Sequence, residues 1–206
     1  MMLTVLATGF SAFPGARHNP SAALMVALER RRAWFAGFGI RLETRILPVL
    51  YAEIAPRLAK LAAEVRPDAI LHFGLAGRCR DISIETRASN RVSLLAPDAD
   101  GACTANFSLV RNGAAAVQAR VPAAQILAAL RGAGIKGCLS RDAGTYLCNA
   151  ALYHSAAARQ PPSVGFIHIP WPARRGGHPT FAEIVKAAEI AILAIAVAAR
   201  REKSAA

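Results

Sequence analysis

Cysteine is scarce in this chain, and no two cysteines stand close enough to form a motif. The four residues, Cys79, Cys103, Cys138 and Cys148, lie 24, 35 and 10 positions apart. The absence of any CxxC pair excludes the usual zinc and thiol-redox signatures. The five histidines are no better spaced as ligands, so no metal is expected. Long apolar runs are missing too. The longest clean one, "IAILAIAVAA" at 190–199, is ten residues, against the roughly 20 that a membrane-spanning helix requires. "MMLTVLATGF" has neither a basic leader nor a convincing cleavage site, so it does not read as a signal peptide. The expectation is a cytoplasmic protein with no membrane partner.

Acidic residues are outnumbered 13 to 25, leaving a net charge of +12. Only Lys60, Lys136, Lys186 and Lys203 are lysines; the remaining positive charge is arginine. Such a balance raises nucleic acid as a partner. The arginines are scattered, however, with short clusters in "ERRRAW" and "PARRGG", and no nucleic-acid-binding motif accompanies them. A solvated arginine-rich surface is the expectation, with a nucleic-acid binder kept as an alternative.

What is present is a substantial core. Hydrophobic residues make up 54% and charged ones 18%, which places the chain among globular proteins. "LTVLATGF" (3–10) reads as a buried strand. "NPSAALMVALERRRAWF" (19–35) reads as one helix, with Asn19 as N-cap and Pro20 at its first position. Strands follow at 40–49, 68–77, 81–89, 135–141 and 164–170, the one at 81–89 being of antiparallel or edge type. Helices are expected at 51–65, 122–132, 145–159 and 180–202, and 91–121 is strand or long loop. This alternation predicts an α/β fold. It is read as a single domain over 1–206, a mostly parallel mixed sheet with helices on both faces.

In such sheets chemistry sits on loops beyond the strand ends. "TGFSAF", "SRDAGTYLCN" and the end of "FIHIP" meet that rule. With Thr145 as N-cap, Cys148 becomes the third residue of a helix, where the dipole favours a thiolate. A nucleophilic cysteine needs a base, and His168 stands in the apolar "FIHIP". Residue types alone leave both as ordinary core residues just as well.

The order of segments adds more. "AGTYLCNAALYH" (143–154), then "GFIHIP" (165–170) with its histidine twenty positions after the cysteine, resembles the pyroglutamyl peptidase I family of cytoplasmic cysteine peptidases. "TGFSAFPGARHNPS" (8–21), "PDAILHFGLAGRCRDISIETRASN" (67–90) and "TFAEIVKAAEIAI" (180–192) resemble its other segments in the same order. The resemblance implies a Cys-His-Glu constellation that falls on Cys148, His168 and Glu85. It implies removal of an N-terminal pyroglutamyl group from a peptide substrate through an acyl-enzyme, with no cofactor. It places Phe10, Phe13, Tyr146 and Leu147 around the lactam ring, and it implies a homo-oligomer, a dimer or tetramer. The alternative is a divergent or non-catalytic member that binds a small lactam or a peptide N-terminus.

The chain departs from that pattern in four places. Leu75 stands where the family has Gln, "AFPG" replaces PFGG, and "WPARRGG" replaces an acidic, Gln-containing stretch. Leu95 occupies the position of an arginine near the reacting carbonyl. Loss of such a donor costs about 3–4 kcal/mol of transition-state stabilisation, so slow turnover is expected.

Overall fold

Strand β1 (Leu3–Phe10) is buried along its whole length, which fixes it inside a sheet covered on both faces. The computed structural model describes residues 2–173 and 177–205; the arginine pair of "PARRGG" lies outside them. Around β1 stand β2 (Ile40–Leu47), β3 (Ala69–Leu75), β4 (Ile82–Glu85), β7 (Gly137–Ser140) and β8 (Ser163–Ile169). Their order across the sheet is β2-β1-β3-β8-β4-β7. The pairs are parallel except β4 against β8. β4 and β7 therefore run against the other four strands.

The period of two along each strand divides the core into two halves. Leu3, Val5 and Ala7, with Leu71, Phe73, Ile167 and Ile169, face one side. There they meet α1 (Pro20–Glu29), α4 (Ala123–Gly132) and α6 (Phe181–Ala205). Leu6, Phe10, Ile70, Val164 and Phe166 face the other, under α3 (Tyr51–Val65) and α5 (Leu147–Ala157). Each fully buried Leu, Ile or Phe contributes about 1.5–3 kcal/mol to holding the layers together.

Two elements differ from the sequence expectation. The helix expected over 19–35 is two, α1 and α2 (Arg32–Ala36), because the chain turns at Arg30 and Arg31. That turn carries Phe35 into the core, where it is fully buried. The strand expected over 81–89 is also two. β4 stays in the large sheet, between β8 and β7 and not at the edge, while β5 (Arg87–Ser89) leaves it to pair with β6 (Ala116–Gln118). Most of 91–121 is loop, held over α5 by side-chain hydrogen bonds.

Asn19 caps α1 as expected, accepting from Ser21 N–H at 3.0 Å. Its amide also donates to the Ser11 carbonyl at 3.0 Å, tying the loop after β1 to the helix. The close fit requires Gly9: a Cβ there would lie 2.3 Å from the Ser21 carbonyl oxygen.

Candidate active site

The antiparallel pairing of β4 with β8 sets His168 directly opposite Ser83, and Glu85 opposite Phe166. Ser83, Glu85 and His168 therefore share one face of the sheet, the face beneath α5. Glu85 reaches His168 diagonally. Its Oε1 lies 2.9 Å from Nδ1 of the ring and also accepts from the Ser83 hydroxyl at 3.1 Å. Both members are buried, Glu85 almost completely. Oε2 of Glu85 has no partner among the described residues.

Cys148 arrives from the other layer. Helix α5 begins at Leu147 with Tyr146 as its N-cap. Cys148 is accordingly the second helical residue, one place earlier than a Thr145 cap would make it. The Tyr146 backbone is extended, and the helix has no side-chain cap. The N–H groups of its first turn are thus without intrahelical acceptors. The thiol packs into a notch left by Gly74 at the end of β3. A Cβ on that glycine would stand 2.7 Å from Cys148 Sγ and 2.7 Å from the Phe166 ring. Glycine is needed here for the cysteine to approach the sheet at all.

The charges agree with this geometry. Burial alone would pull His168 down. The charge and hydrogen bond of Cys148, then the hydrogen bond and charge of Glu85, reverse that and raise it from 6.5 to about 10. The two neighbours thus favour the protonated ring. Cys79, Cys103 and Cys138 are exposed, and only Cys148 is half-buried.

Phe10, Phe13, Tyr146 and Leu147 come together with Cys148 around one small cavity of about 40 Å³. Asn19, Val49 and Leu75 complete its wall. The Phe13 and Tyr146 rings lie 6.1 Å apart, and Tyr51 meets Tyr146 edge-on at 5.7 Å. Burial pushes the Tyr146 phenol up to about 12, so it remains a donor, to the Pro97 carbonyl at 2.9 Å. Ser93 N–H donates to the Thr145 carbonyl at 2.8 Å, so residues 93–97 run beside the start of α5. Within that stretch Leu95 is 92% exposed.

A family model described as pyroglutamyl peptidase matches residues 3–200. The chain belongs to that family. Its relatives include the pyrrolidone-carboxylate peptidase of Pyrococcus furiosus, 34% identical over 82% of this chain and 81% of the relative. That of Klebsiella pneumoniae is 34% identical over 97% of this chain and 94% of its own length. Among solved structures, the pyrrolidone carboxyl peptidase of Thermus thermophilus superposes with a TM-score of 0.82 at 33% identity, covering 92% of this chain and 99% of that one. The pyroglutamyl peptidase I of Bacillus amyloliquefaciens gives 0.84 at 27%, covering 95% and 96%.

Ser83, Gly74 and Asn149 were not singled out by the sequence reading. Asn149 is fully buried in the first turn of α5. It accepts from Ser89 N–H at 2.9 Å and donates to the carbonyls of Ser89 and Arg91, fastening β5 and its exit to the helix. Ser83 had a local signal, since Ser-x-Glu places both side chains on one face of a strand.

Proposed function

We propose that this protein removes N-terminal pyroglutamyl residues from peptides, with Cys148 as nucleophile, His168 as acid and base, and Glu85 as the group that orients the imidazole. The observation that carries this reading is the place of His168, whose Nδ1 lies 2.9 Å from Glu85 Oε1 and whose proton is held more tightly because of the neighbouring Cys148 and then Glu85. In the first step the Cys148 sulfur forms a bond to the pyroglutamyl carbonyl carbon. The tetrahedral oxyanion is met by free N–H groups at the start of α5. The C–N bond then breaks as the His168 imidazolium hands its proton to the leaving amine. Water, deprotonated by the now neutral His168, attacks the thioester, releases pyroglutamate and restores the thiolate and imidazolium. Glu85 holds Nδ1 through both steps.

The lactam ring is flat, uncharged and amide-bearing, which suits an apolar slot between Phe10, Phe13, Tyr146 and Leu147. Phe13 and Tyr146 are half-buried and form the outer side of that slot. The reading takes residues 1–206 as one catalytic domain and, from the family resemblance, a cytoplasmic dimer or tetramer. No helix among the described residues is long and apolar enough to cross a membrane.

The test is turnover of a chromogenic pyroglutamyl amide. The parent chain should release the chromophore, and Cys148→Ala and His168→Ala should not. Alanine at Cys79, Cys103 or Cys138 should keep the rate within a few-fold. Turnover surviving in Cys148→Ala would remove the nucleophile assignment. A chain that binds 2-pyrrolidone without any turnover would be the lactam-binding alternative.

A further inference from the structure

A second, larger cavity of about 450 Å³ lies beside the start of α5, lined by Arg87, Ser89, Arg91, Arg141, Asp142 and Thr145, with Ala115. Three guanidinium groups and one carboxylate give it a net charge of about +2. Among the described residues none of these arginines has a salt-bridge partner (the ion pairs of the chain lie elsewhere). Asp142 Oδ1 accepts from Gly144 N–H at 3.0 Å.

The position of this cavity follows from the sheet. Arg87 is two residues beyond Glu85. Arg141 follows Ser140, which stands directly opposite Glu85 across β4 and β7. Arg91 is tied by its carbonyl to Asn149, the residue after Cys148. The apolar slot occupies the β1–β3 side of Cys148, and the imidazole occupies the β4–β7 side. A leaving amine that takes its proton from His168 must depart on the β4–β7 side. Among the described residues the core on this face draws its helical side chains from α3 and α5 alone, and Cys138 of β7 is exposed at that end.

We propose that this arginine cavity is the subsite for a carboxylate carried by the peptide on the leaving side of the scissile bond. The protein would then prefer pyroglutamyl peptides whose first or second following residue presents a carboxylate. In chemical terms this is an Asp or Glu side chain or the free C-terminus of a dipeptide. The inference rests on the active-site assignment above. Arginine suits the task because its planar fork matches both carboxylate oxygens.

Two isosteric pairs of substrates separate the two sources: pyroglutamyl-alanine against its amide, and pyroglutamyl-glutamate amide against pyroglutamyl-glutamine amide. In at least one pair the carboxylate form should have kcat/KM higher by about tenfold at low salt, mostly through KM, as a charge-assisted bidentate contact gives. Raising ionic strength to about 1 M, where the Debye length is near 3 Å, should shrink that ratio. In Arg87→Gln, Arg91→Gln and Arg141→Gln the ratio should fall toward one, whereas Arg57→Gln on α3 should leave both rate and ratio as they are. Ratios within about twofold in both pairs, or a preference that survives all three substitutions, would overturn the subsite. If no substrate turns over, the active-site reading fails by itself. Calorimetric binding of the same four peptides to Cys148→Ala then decides the subsite, by a carboxylate preference in Kd that is present or absent.

Discussion

Glu85 and His168 meet diagonally across the antiparallel strand pair of the large sheet, Oε1 to Nδ1 at 2.9 Å, although 83 positions separate them in the chain. Strand direction is what makes the contact. A parallel β4 would present its side chains to β8 in a different register, and the carboxylate would not fall beside the ring. The Ser83 hydroxyl holds the same oxygen from within β4, so the carboxylate is oriented before any substrate arrives.

The pH dependence follows from His168, which is raised from 6.5 to about 10. Below that value the ring carries the proton that the leaving amine needs; above it the proton is gone. The kcat/KM profile should therefore fall on an alkaline limb near pH 10. Glu85→Gln removes one charge and weakens one hydrogen bond that raise the ring, so the limb should move to lower pH. The contribution of this pair to stability has the same sense, full below about 6.5 and lost as pH rises through about 10. A Glu85→Gln profile lowered in height without any shift would give Glu85 a purely structural part.

Gly74→Ala should be far more damaging than its size suggests. The added methyl would sit 2.7 Å from Cys148 Sγ and from the Phe166 ring, so one of them must shift. Displacing the sulfur by about 1 Å should lower kcat on the order of 10²-fold. Overpacking should cost about 1–3 kcal/mol of stability, read from urea unfolding. Parent-like turnover would mean that α5 shifts to accept the methyl.

Leu95→Arg tests the family departure. Leu95 is exposed on a stretch fastened to the Thr145 carbonyl through Ser93 N–H and to the Tyr146 hydroxyl through the Pro97 carbonyl. An arginine there can fold back toward the mouth of the slot and meet the oxyanion. kcat should rise by about tenfold with little change in KM, the mark of an interaction made in the transition state. No gain would assign oxyanion stabilisation to the backbone of α5 alone, or to Arg91 or Arg87, whose alanine variants would then lose kcat.

His72 governs acid stability. It is fully buried in β3, with Thr8 Oγ1 2.7 Å from Nδ1 and Ser155 Oγ 2.9 Å from Nε2, and burial lowers it to about 3. Below about 6.5 the unfolded chain takes up a proton that the folded chain refuses. Stability should therefore decline as pH falls from about 6.5 toward 3, by on the order of 4 kcal/mol from this residue. His72→Gln should lower stability at neutral pH while flattening that decline. An unchanged slope in the variant would place the acid sensitivity elsewhere.

Features that depend on neighbours along the chain are legible in the amino-acid order. Unbroken apolar runs mark β1, β3 and β8 because strands buried on both faces need no polar alternation. Asn19-Pro20 marks the start of α1 because capping is a contact between adjacent residues. The ordered segments around Cys148, His168 and Glu85 carry the family resemblance. The rest comes from packing between segments distant in the chain. The break at Arg30–Arg31 and the split of 81–89 serve core packing and strand pairing, which local periodicity does not register. Glycine at position 74 is legible as a turn residue, but its use, to admit a sulfur atom from a helix 74 residues later, is not. The arginine cavity is assembled from β5, its exit loop and the end of β7, whose charges read in sequence as scattered surface. Side chains far apart in the chain become neighbours through sheet order and strand direction, and those are set by the packing of the whole core.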